Sequence, residues 1–416
     1  MSRARARRVV VTGMGVVAPH GMGLDTFWQA SVQGLTGIKP LRRFSVAGLP
    51  IQVAGEWADF QATAYLPRKF VLRTDRVTHF TSLAVDEALS HAQLDLTRED
   101  PTRVGAVIAN TMGGVEFVLK QIEALFTRGP RAMSAYTAIA WLQIANVGQI
   151  SLRHNVQGYC KTPVNDLAGG LEAMLMATQA IRRGVADILI TGGSEALLHP
   201  CLLQLLGHDD LCASGDDPRA YRPFDQRARG LLLAEGAGIC ILEEYEHARQ
   251  RQAPIYGEIV GGGATNDARG SQAPTADGAH YAQAMRLALQ DADLQPAEVD
   301  YFSLDGRAHP VADFAEVAAL REVFGARLPE IPVSVPRTAH GHSYAAAGAL
   351  DTITTLLALQ TQQIPPTLNC EQLDPRYQLN LVREQAQSWH GSAALIGARG
   401  ISGTNLVLAV RRGIEL

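Results

Sequence analysis

The sequence of 416 residues lacks the features that mark several classes of protein. It has no apolar run of about 18 residues or more, so it predicts no membrane-spanning helix. Its 37 Lys+Arg and 41 Asp+Glu give a net charge of −4, which argues against a nucleic-acid-binding surface. Its five cysteines, an odd number without CxxC spacing, indicate neither a disulfide framework nor a zinc site and fit a reducing cytoplasm. What remains is a globular protein with a large core, too long for one ordinary domain.

Short apolar runs rich in Val and Ile alternate with longer, helix-like stretches along the chain. Strands are predicted over residues 8–12, 104–108, 186–191, 238–242, 255–260, 301–304, 331–335 and 406–411, and helices over 80–92, 170–183, 281–291, 314–324 and 345–360. This alternation predicts an α/β fold with central sheets covered on both faces. Because the order of elements repeats, we expect two halves, 1–250 and 251–416, with an interface-building insertion over about 114–157.

Two short motifs suggest ligand sites but are incomplete. Gly13 and Gly15 follow a strand, as in a dinucleotide-binding fingerprint, but the third glycine is missing and Pro19 would interrupt the required helix. We therefore predict a turn there. His340 and His342 would share one side of an extended strand, but no third ligand lies nearby, so we expect no metal.

The helix predicted over residues 170–183 has either Asn165 or Asp166 as its expected cap. The start of a buried helix is a place where the helix dipole lowers the pKa of a cysteine and makes it nucleophilic. The residue at this position is Leu167. A core helix accounts for the whole pattern, so the local sequence indicates no chemistry.

Seven motifs occur along the chain in a defined order. They are VVVTGMGVVAP (9–19), TGGSE (191–195), RPFD (222–225), EGAG (235–238), LEEYEHA (242–248), PPTLN (365–369) and GTN (403–405). In this order they resemble the β-ketoacyl synthases, the condensing enzymes of fatty-acid and polyketide synthesis, over essentially the whole chain. The resemblance implies the thiolase fold, in which two similar halves form a five-layered α/β/α/β/α core that is normally dimeric.

The family's chemistry needs a cysteine that carries the acyl chain and two histidines that drive decarboxylation of the malonyl thioester and stabilise the oxyanion. The resemblance places the cysteine position on Leu167, which has no lone pair to attack a thioester. The first histidine belongs to a His-Gly-Thr motif that is replaced here by Asp305, Gly306 and Arg307. The nucleophile and the first histidine are therefore both lost.

The rest of the implied site is retained only in part. His342 matches the second histidine, Arg337 stands in place of the family's lysine, and Arg399 replaces the phenylalanine of the gating loop. We therefore expect no catalytic residue in this chain. We interpret His342 as a remnant that is hydrogen-bonded in a closed pocket rather than as a working base.

A synthase-like chain with these losses resembles the chain-length factor, the non-catalytic partner of the ketosynthase in type II polyketide synthases. The implied partners are a catalytic ketosynthase, in a heterodimer, and the acyl carrier protein. No cofactor is implied beyond the phosphopantetheine that the carrier protein bears. One departure is Leu167, because many chain-length factors have at this position a glutamine that has been linked to decarboxylation.

The resemblance implies that the partner's acyl chain enters a tunnel along the dimer interface. The positions that match its gate are Val115, Val118 and Ile122, with Cys201 opposite. Offsets of three and seven residues put the first three on one helix face, a pattern that core packing also explains. Because relatives often have aromatic rings here, the aliphatic side chains predict a longer or wider tunnel.

Arg68, Lys69 and Arg73 match a region where the acidic carrier protein docks, although a solvated helix face explains them equally well.

Two other functions stay open. An active synthase would need another thiol, such as that of Cys160, seven residues before the expected position. A non-enzymatic homodimer would bind acyl chains without a ketosynthase partner.

Overall fold

The computed structural model describes residues 7–208, 210–269 and 276–413. In this part of the chain the strands are β1 (Val9–Ala18), β2 (Gly21–Met22), β3 (Ile38–Pro40), β4 (Val53–Gly55), β5 (Val104–Ala109), β6 (Cys160–Lys161), β7 (Ile188–Glu195), β8 (Gly236–Glu244), β9 (Gly257–Asn266), β10 (Tyr301–Ser303), β11 (Pro332–Ser334), β12 (Gln363–Ile364), β13 (Asn380–Leu381), β14 (Gln387–Ser388), β15 (Ala393–Arg399) and β16 (Thr404–Arg412). The helices are α1 (Leu24–Val32), α2 (Arg68–Val71), α3 (Arg76–His91), α4 (Val115–Arg128), α5 (Thr137–Ala140), α6 (Ala145–His154), α7 (Gly169–Arg182), α8 (Pro200–Leu206), α9 (Tyr245–Gln250), α10 (Ala279–Asp291), α11 (Pro310–Phe324) and α12 (Ala347–Thr361). None of these helices is long and apolar enough to span a membrane.

Each half of the chain contributes one sheet, and the two sheets share a single hydrogen-bonded path. Its order is β13-β11-β10-β15-β16-β9-β1-β8-β7-β5-β6. The halves meet between β1 and β9, where Val10 pairs with Glu258 and Val11 pairs with Gly257. Strand β6 lies at one end of the path, paired only with β5 in the described part of the chain.

Helices form three layers around the two sheets. Helices α7 and α12 lie between the sheets, since α7 contacts β5, β7 and β16, and α12 contacts β8, β15 and β16. Every residue of α12 from Ala347 to Leu359 is buried, as a helix between two sheets requires. Helices α3 and α6 cover the outer face of the first sheet, and α10, joined by α11, covers that of the second. This α/β/α/β/α order confirms the predicted thiolase fold.

The segment around Gly13 and Gly15 is strand, not the predicted turn. Strand β1 runs through it, with a bulge between Val11 and Gly13 in its pairing with β8. The glycines allow α3 to approach closely: a Cβ on Gly13 would lie 2.2 Å from the carbonyl oxygen of Ala88, and one on Gly15 would lie 2.0 Å from that of Ala84. Their role is therefore to let the helix pack against the strand.

The predicted insertion over residues 114–157 contains α4, α5 and α6. Helix α4 has a single fully buried residue, Ala124, and rests on α5 and the 3-10 turn Pro130–Ala132. Large apolar side chains of this segment are exposed: Ile122, Phe126, Ile139, Trp141, Ile144 and Leu152. Exposed apolar groups in such number are typical of a surface that another protein covers.

Candidate functional site

Leu167 lies in the 3-10 turn Asp166–Ala168, directly before α7, and its side chain is fully buried in the core. The predicted cap of α7 is wrong, because neither Asn165 nor Asp166 caps this helix and its N-cap residue is Ala168. The 3-10 turn carries the chain into α7 and leaves no cap position for either side chain.

The Asp166 carboxylate instead holds the loop that follows β15. It accepts hydrogen bonds from the backbone N–H of Ile401 at 2.8 Å and from the hydroxyl of Ser402 at 3.3 Å. A Cβ on Gly400 would lie 2.9 Å from the Asp166 Oδ1, so the loop passes close to the turn. The position that the resemblance matches to the nucleophile is thus tied to the loop that follows Arg399, the residue matched to the gating phenylalanine.

Asp305, Arg307 and Arg399 form a buried ionic contact at the positions matched to the first histidine motif and the gating residue. Strands β10 and β15 are parallel neighbours, so their carboxyl ends bring Asp305 and Arg399 together. The Asp305 Oδ2 accepts from Nε of Arg307 at 3.0 Å and from Nε of Arg399 at 2.9 Å. Burial alone would raise the pKa of Asp305, but the charges of Arg307, Arg399 and Arg337 outweigh it and lower this pKa.

Glu316, on the buried side of α11, extends this contact. Its carboxylate accepts from the backbone N–H groups of Asp305 and Gly306, both at 2.9 Å, and from Nη2 of Arg399 at 3.2 Å. Burial raises the pKa of Glu316, while Arg399 and the two backbone donors favour its charged form. Arg399 also donates to the carbonyl of Ala312 at 2.8 Å, so all three nitrogens of its guanidinium have partners.

Arg337, in the 3-10 turn Pro336–Ala339, connects the contact to α12. Its Nη2 and Nε bond the Asp351 carboxylate, the Nε at 3.4 Å, and its Nη1 lies 3.6 Å from the Asp305 Oδ1. The same Nη1 lies 2.8 Å from Nε2 of His342, whose Nδ1 lies 3.1 Å from the backbone nitrogen of Tyr344. Burial and the Arg337 charge hold the pKa of His342 well below its ordinary value.

These side chains form one buried ion network, which we define as Asp305, Arg307, Glu316, Arg337, Asp351 and Arg399. Its three guanidinium groups and three carboxylates balance in charge, which offsets the cost of taking them out of water. Both ring nitrogens of His342 face hydrogen-bond donors. Because a neutral imidazole has only one acceptor nitrogen, that nitrogen is already engaged and the ring has none left to act as a base. Leu167 offers no nucleophilic atom. Each charged side chain of the network is thus paired with a group of opposite charge.

The sequence analysis did not find Glu316 or Asp351. Both are acidic residues on the buried face of a helix, and both are at most 1% exposed. A carboxylate in such a position needs a buried partner, and this signal was available before the fold was known. Which arginine serves each one depends on how α11 and α12 pack.

The prediction that His340 and His342 lie on an extended strand is wrong. They follow the 3-10 turn Pro336–Ala339, and Gly341 between them has a φ of +90°. The His340 side chain is buried, and neither of its ring nitrogens has a hydrogen-bond partner in the described part of the chain. Across the residues that the structure covers, no group of three or more His, Cys, Asp and Glu side chains is arranged to hold a metal ion.

The four positions matched to the tunnel gate lie on α4 and at the start of α8. Val115 and Val118 are half-buried on α4, Ile122 is 40% exposed, and Cys201, in the first turn of α8, is exposed. The pKa of His199, the N-cap of α8, is lowered chiefly by burial, and Glu116 and Lys120 of α4 make smaller, opposing contributions to it. The assignment of these residues as a gate stays a prediction.

The three residues matched to carrier-protein docking are all exposed. Arg68 and Lys69 lie on α2, and Arg73 follows it. The guanidinium of Arg73 lies 4.8 Å from the ring centroid of Tyr136, which connects this basic surface to the insertion. Docking of the carrier at this surface also stays a prediction.

The thiol of Cys160 does not share the geometry of the family's nucleophile. Cys160 is half-buried in strand β6, and its Sγ lies 3.3 Å from the Oγ of Ser151. No helix begins at this residue, so the thiol does not have the position at a helix N-terminus that activates a cysteine. No disulfide joins any of the five cysteines, all of which lie in the described part of the chain.

Comparison with known proteins identifies the class of protein to which this site belongs. The family models for the β-ketoacyl synthase N-terminal domain and the β-ketoacyl synthase C-terminal domain match residues 6–248 and 256–371. The chain belongs to the β-ketoacyl synthase family.

Individual relatives match almost the whole chain. The chain is 39% identical over 407 residues to the tetracenomycin polyketide synthase ketoacyl synthase beta subunit of Streptomyces glaucescens, covering 97% of this chain and 98% of the relative. The solved ishigamide ketosynthase/chain length factor is similar with a TM-score of 0.91 and 27% identity over 99% of this chain and 100% of that chain. A type II polyketide synthase acyl-carrier protein in complex with its hexaketide-bound ketosynthase includes a chain with a TM-score of 0.89 and 29% identity, over 99% of this chain and 100% of that chain.

Proposed function

We propose that this chain is the chain-length factor of a type II polyketide synthase. It pairs with a catalytic ketosynthase, and the pair extends a polyketide by decarboxylative Claisen condensation of malonyl units borne by acyl carrier protein. This chain performs no acyl transfer itself. The buried ion network carries the proposal, because it occupies the positions where a condensing enzyme needs its histidine and its open gate.

Pairing with a ketosynthase is supported by the insertion and by the edge of the sheet. Phe126 and Leu152 are 83% and 80% exposed, which is a large apolar area for a chain that works alone. Strand β6 ends the sheet nearby, so a partner can cover this edge. The relatives named for a synthase beta subunit and for a ketosynthase/chain length factor support the same pairing. Five cysteines without a disulfide fit a complex that works in a reducing cytoplasm.

Control of product length is supported by the aliphatic side chains on one face of α4. Val115 and Val118 are half-buried on a helix with little core of its own, so they are available to line a tunnel between two subunits. Their small volume leaves room that an aromatic ring would fill. The exposed Arg68, Lys69 and Arg73 fit the docking of an acidic carrier protein.

The first test is co-expression with a candidate ketosynthase, followed by the mass of the intact complex and condensation activity with malonyl-loaded carrier. We expect a one-to-one complex whose activity requires this chain and survives Leu167→Ala. A homodimer that condenses malonyl units on its own would contradict the proposal. Labelling of Cys160 by a thiol-reactive synthase inhibitor would favour an active synthase, and a stable homodimer that binds acyl chains would favour a non-enzymatic acyl-binding protein.

The second test concerns length itself. Val118→Trp adds a large ring to the wall of the proposed tunnel, so we expect the active complex to release shorter products, as mass spectrometry of the product mixture would show. Val185→Trp, at an exposed position in the loop after α7, is the matched control and leaves length unchanged. Unchanged length in an intact Val118→Trp complex would refute the tunnel assignment.

A further inference from the structure

Helix α4 cannot cap its own start. Its N-cap residue is Gly114, which has no side chain to accept a backbone N–H. A Cβ at Gly114 would lie 1.9 Å from the carbonyl oxygen of Ala140 and 2.9 Å from the Cβ of Asp75, so no larger residue fits there. The backbone N–H of Val115 bonds the carbonyl oxygen of Gly113 at 3.0 Å, and the N–H groups that follow it in the first turn need an acceptor from elsewhere in the chain.

Asp75 supplies this acceptor while it caps another helix. Its Oδ1 accepts from the backbone N–H of Val77 at 2.9 Å, which is the N-cap hydrogen bond of α3. Its Oδ2 accepts from the backbone N–H of Phe117, the third residue of α4, at 2.7 Å. The side chain is only 2% exposed. A single buried carboxylate thus caps two helices whose contacted residues lie far apart in sequence.

The other polar anchors of α4 hold its side chains rather than the backbone N–H groups of its first turn. Glu116 pairs with Arg43 at 2.5 Å, and the Oε1 of Gln121 accepts from the backbone N–H of Ser134 at 2.8 Å. Because α4 has one fully buried residue, core packing fixes its position only weakly. The first turn of α4 is therefore placed by two polar contacts, the Arg43–Glu116 pair and Asp75, and of these Asp75 is the one that holds a backbone N–H of the turn.

The residues matched to the tunnel gate begin in this first turn. Val115 and Val118 flank Phe117, so a shift of the first turn moves them directly. Asp75 also lies two residues after Arg73 of the basic surface, and Thr74 between them donates to the carbonyl of Phe70 in α2 at 2.8 Å. A short chain of contacts joins the surface of α2 to the start of α4.

We infer that Asp75 is a positioning residue for product length: by capping α3 and α4 together, it fixes the wall formed by Val115 and Val118. This inference rests on the proposed chain-length function and deepens it. The acyl chain does not contact Asp75, which acts only through the placement of α4.

The test uses Asp75→Ser in the complex with the ketosynthase. Serine is a good N-cap residue, so it keeps the cap of α3, but its single short oxygen cannot also reach Phe117. We expect the ratio of full-length to altered-length products to change by up to about fivefold, because loss of one capping hydrogen bond changes the population of the capped helix start by about that factor. We expect little change in the thermal stability of the complex. Amide hydrogen exchange at residues 115–118 should become faster while that of α3 stays the same.

The matched control is Asp95→Ser, which alters an exposed residue that also caps a turn, through Thr97. It should leave product ratio and exchange in α4 unchanged. If Asp75→Ser does not assemble, Asp75→Asn keeps the size and one acceptor oxygen and carries the same test. If Val118→Trp shortens the product while the Asp75 variants leave the ratio unchanged, the positioning role is wrong and the proposed function stands. If neither variant changes length in an active complex, both are wrong.

Discussion

The ion network and helix α4 are held in opposite ways within one chain. Asp305, Arg337 and Arg399 are at most 2% exposed, and each has two or more charged or polar partners. Helix α4 has one buried residue, Ala124, and its Phe126 is 83% exposed. The network is fixed by this chain alone, whereas α4 depends on a few hydrogen bonds and on a surface left open to a partner.

This difference indicates where such a protein can vary. A buried network of paired ions tolerates little change, because removal of one partner leaves an uncompensated charge in the interior. A peripheral helix tolerates substitution on its exposed faces at small cost in folding. We therefore expect differences between related chains in product length to come from α4 and its anchors rather than from the closed pocket.

The largest expected effect is on the free energy of unfolding, in which the buried ion network is compared with a half-exposed ion pair. Asp305→Ala leaves the arginines of the network short of one carboxylate, so we expect the free energy of unfolding to fall by about 3–5 kcal/mol. Asp86→Ala, which breaks the half-exposed ion pair with Arg153, should cost about 0–1 kcal/mol. Denaturant unfolding of both variants measures the difference. Equal losses of unfolding free energy in the two variants would mean that the network stabilises the protein no more than a surface ion pair does.

The next effect concerns access to the pocket. Leu167→Cys places a thiol at a fully buried position next to the loop that follows β15. We expect iodoacetamide to label it at least about a hundredfold more slowly than it labels the native, exposed Cys201, because a buried group reacts only when the structure opens. Peptide mass spectrometry of one sample reports both rates. Labelling of the new thiol at the rate of Cys201 would show that the pocket is open.

The smallest effect concerns the basic surface next to α4. The double substitution Arg68→Glu and Lys69→Glu reverses exposed charge, so we expect association with the acidic carrier protein to slow by about tenfold at low ionic strength and by less in high salt. Stopped-flow binding to the complex measures this rate. Arg98→Glu, at an exposed residue elsewhere in the same half, is the control. Equal rates for all three proteins would place carrier docking on another surface.

The order of strands and helices could be predicted because it depends on the local period of apolar residues. The helix predicted over 281–291 is α10, Ala279–Asp291, and the strand predicted over 104–108 is β5, Val104–Ala109. Strand β15 was not predicted, since a short apolar run ending in an arginine has no clear period. The turn predicted at Gly13 was wrong because the glycines serve close packing with α3, a tertiary contact.

The candidate site could be predicted by residue identity but not by contact. Leu167, Asp305 and Arg399 can be read directly from the sequence, and the resemblance predicts from them the loss of a nucleophile. Arg399 bonds Glu316 on α11, and Arg337 bonds Asp351 on α12. These contacts could not be predicted, because only the fold brings the two helices next to the arginines.

The sequence by itself determined the α/β alternation and which residues stand at the positions matched to the catalytic groups, because both depend on which residue stands at which position. The tertiary structure alone decided which buried charges are paired and which carboxylate caps α4. Asp305 meets Arg399 across 94 residues of sequence, and Asp75 meets Phe117 across 42. Such partners come together only when parallel strands and packed helices bring distant segments within hydrogen-bond distance, and no local pattern contains that information.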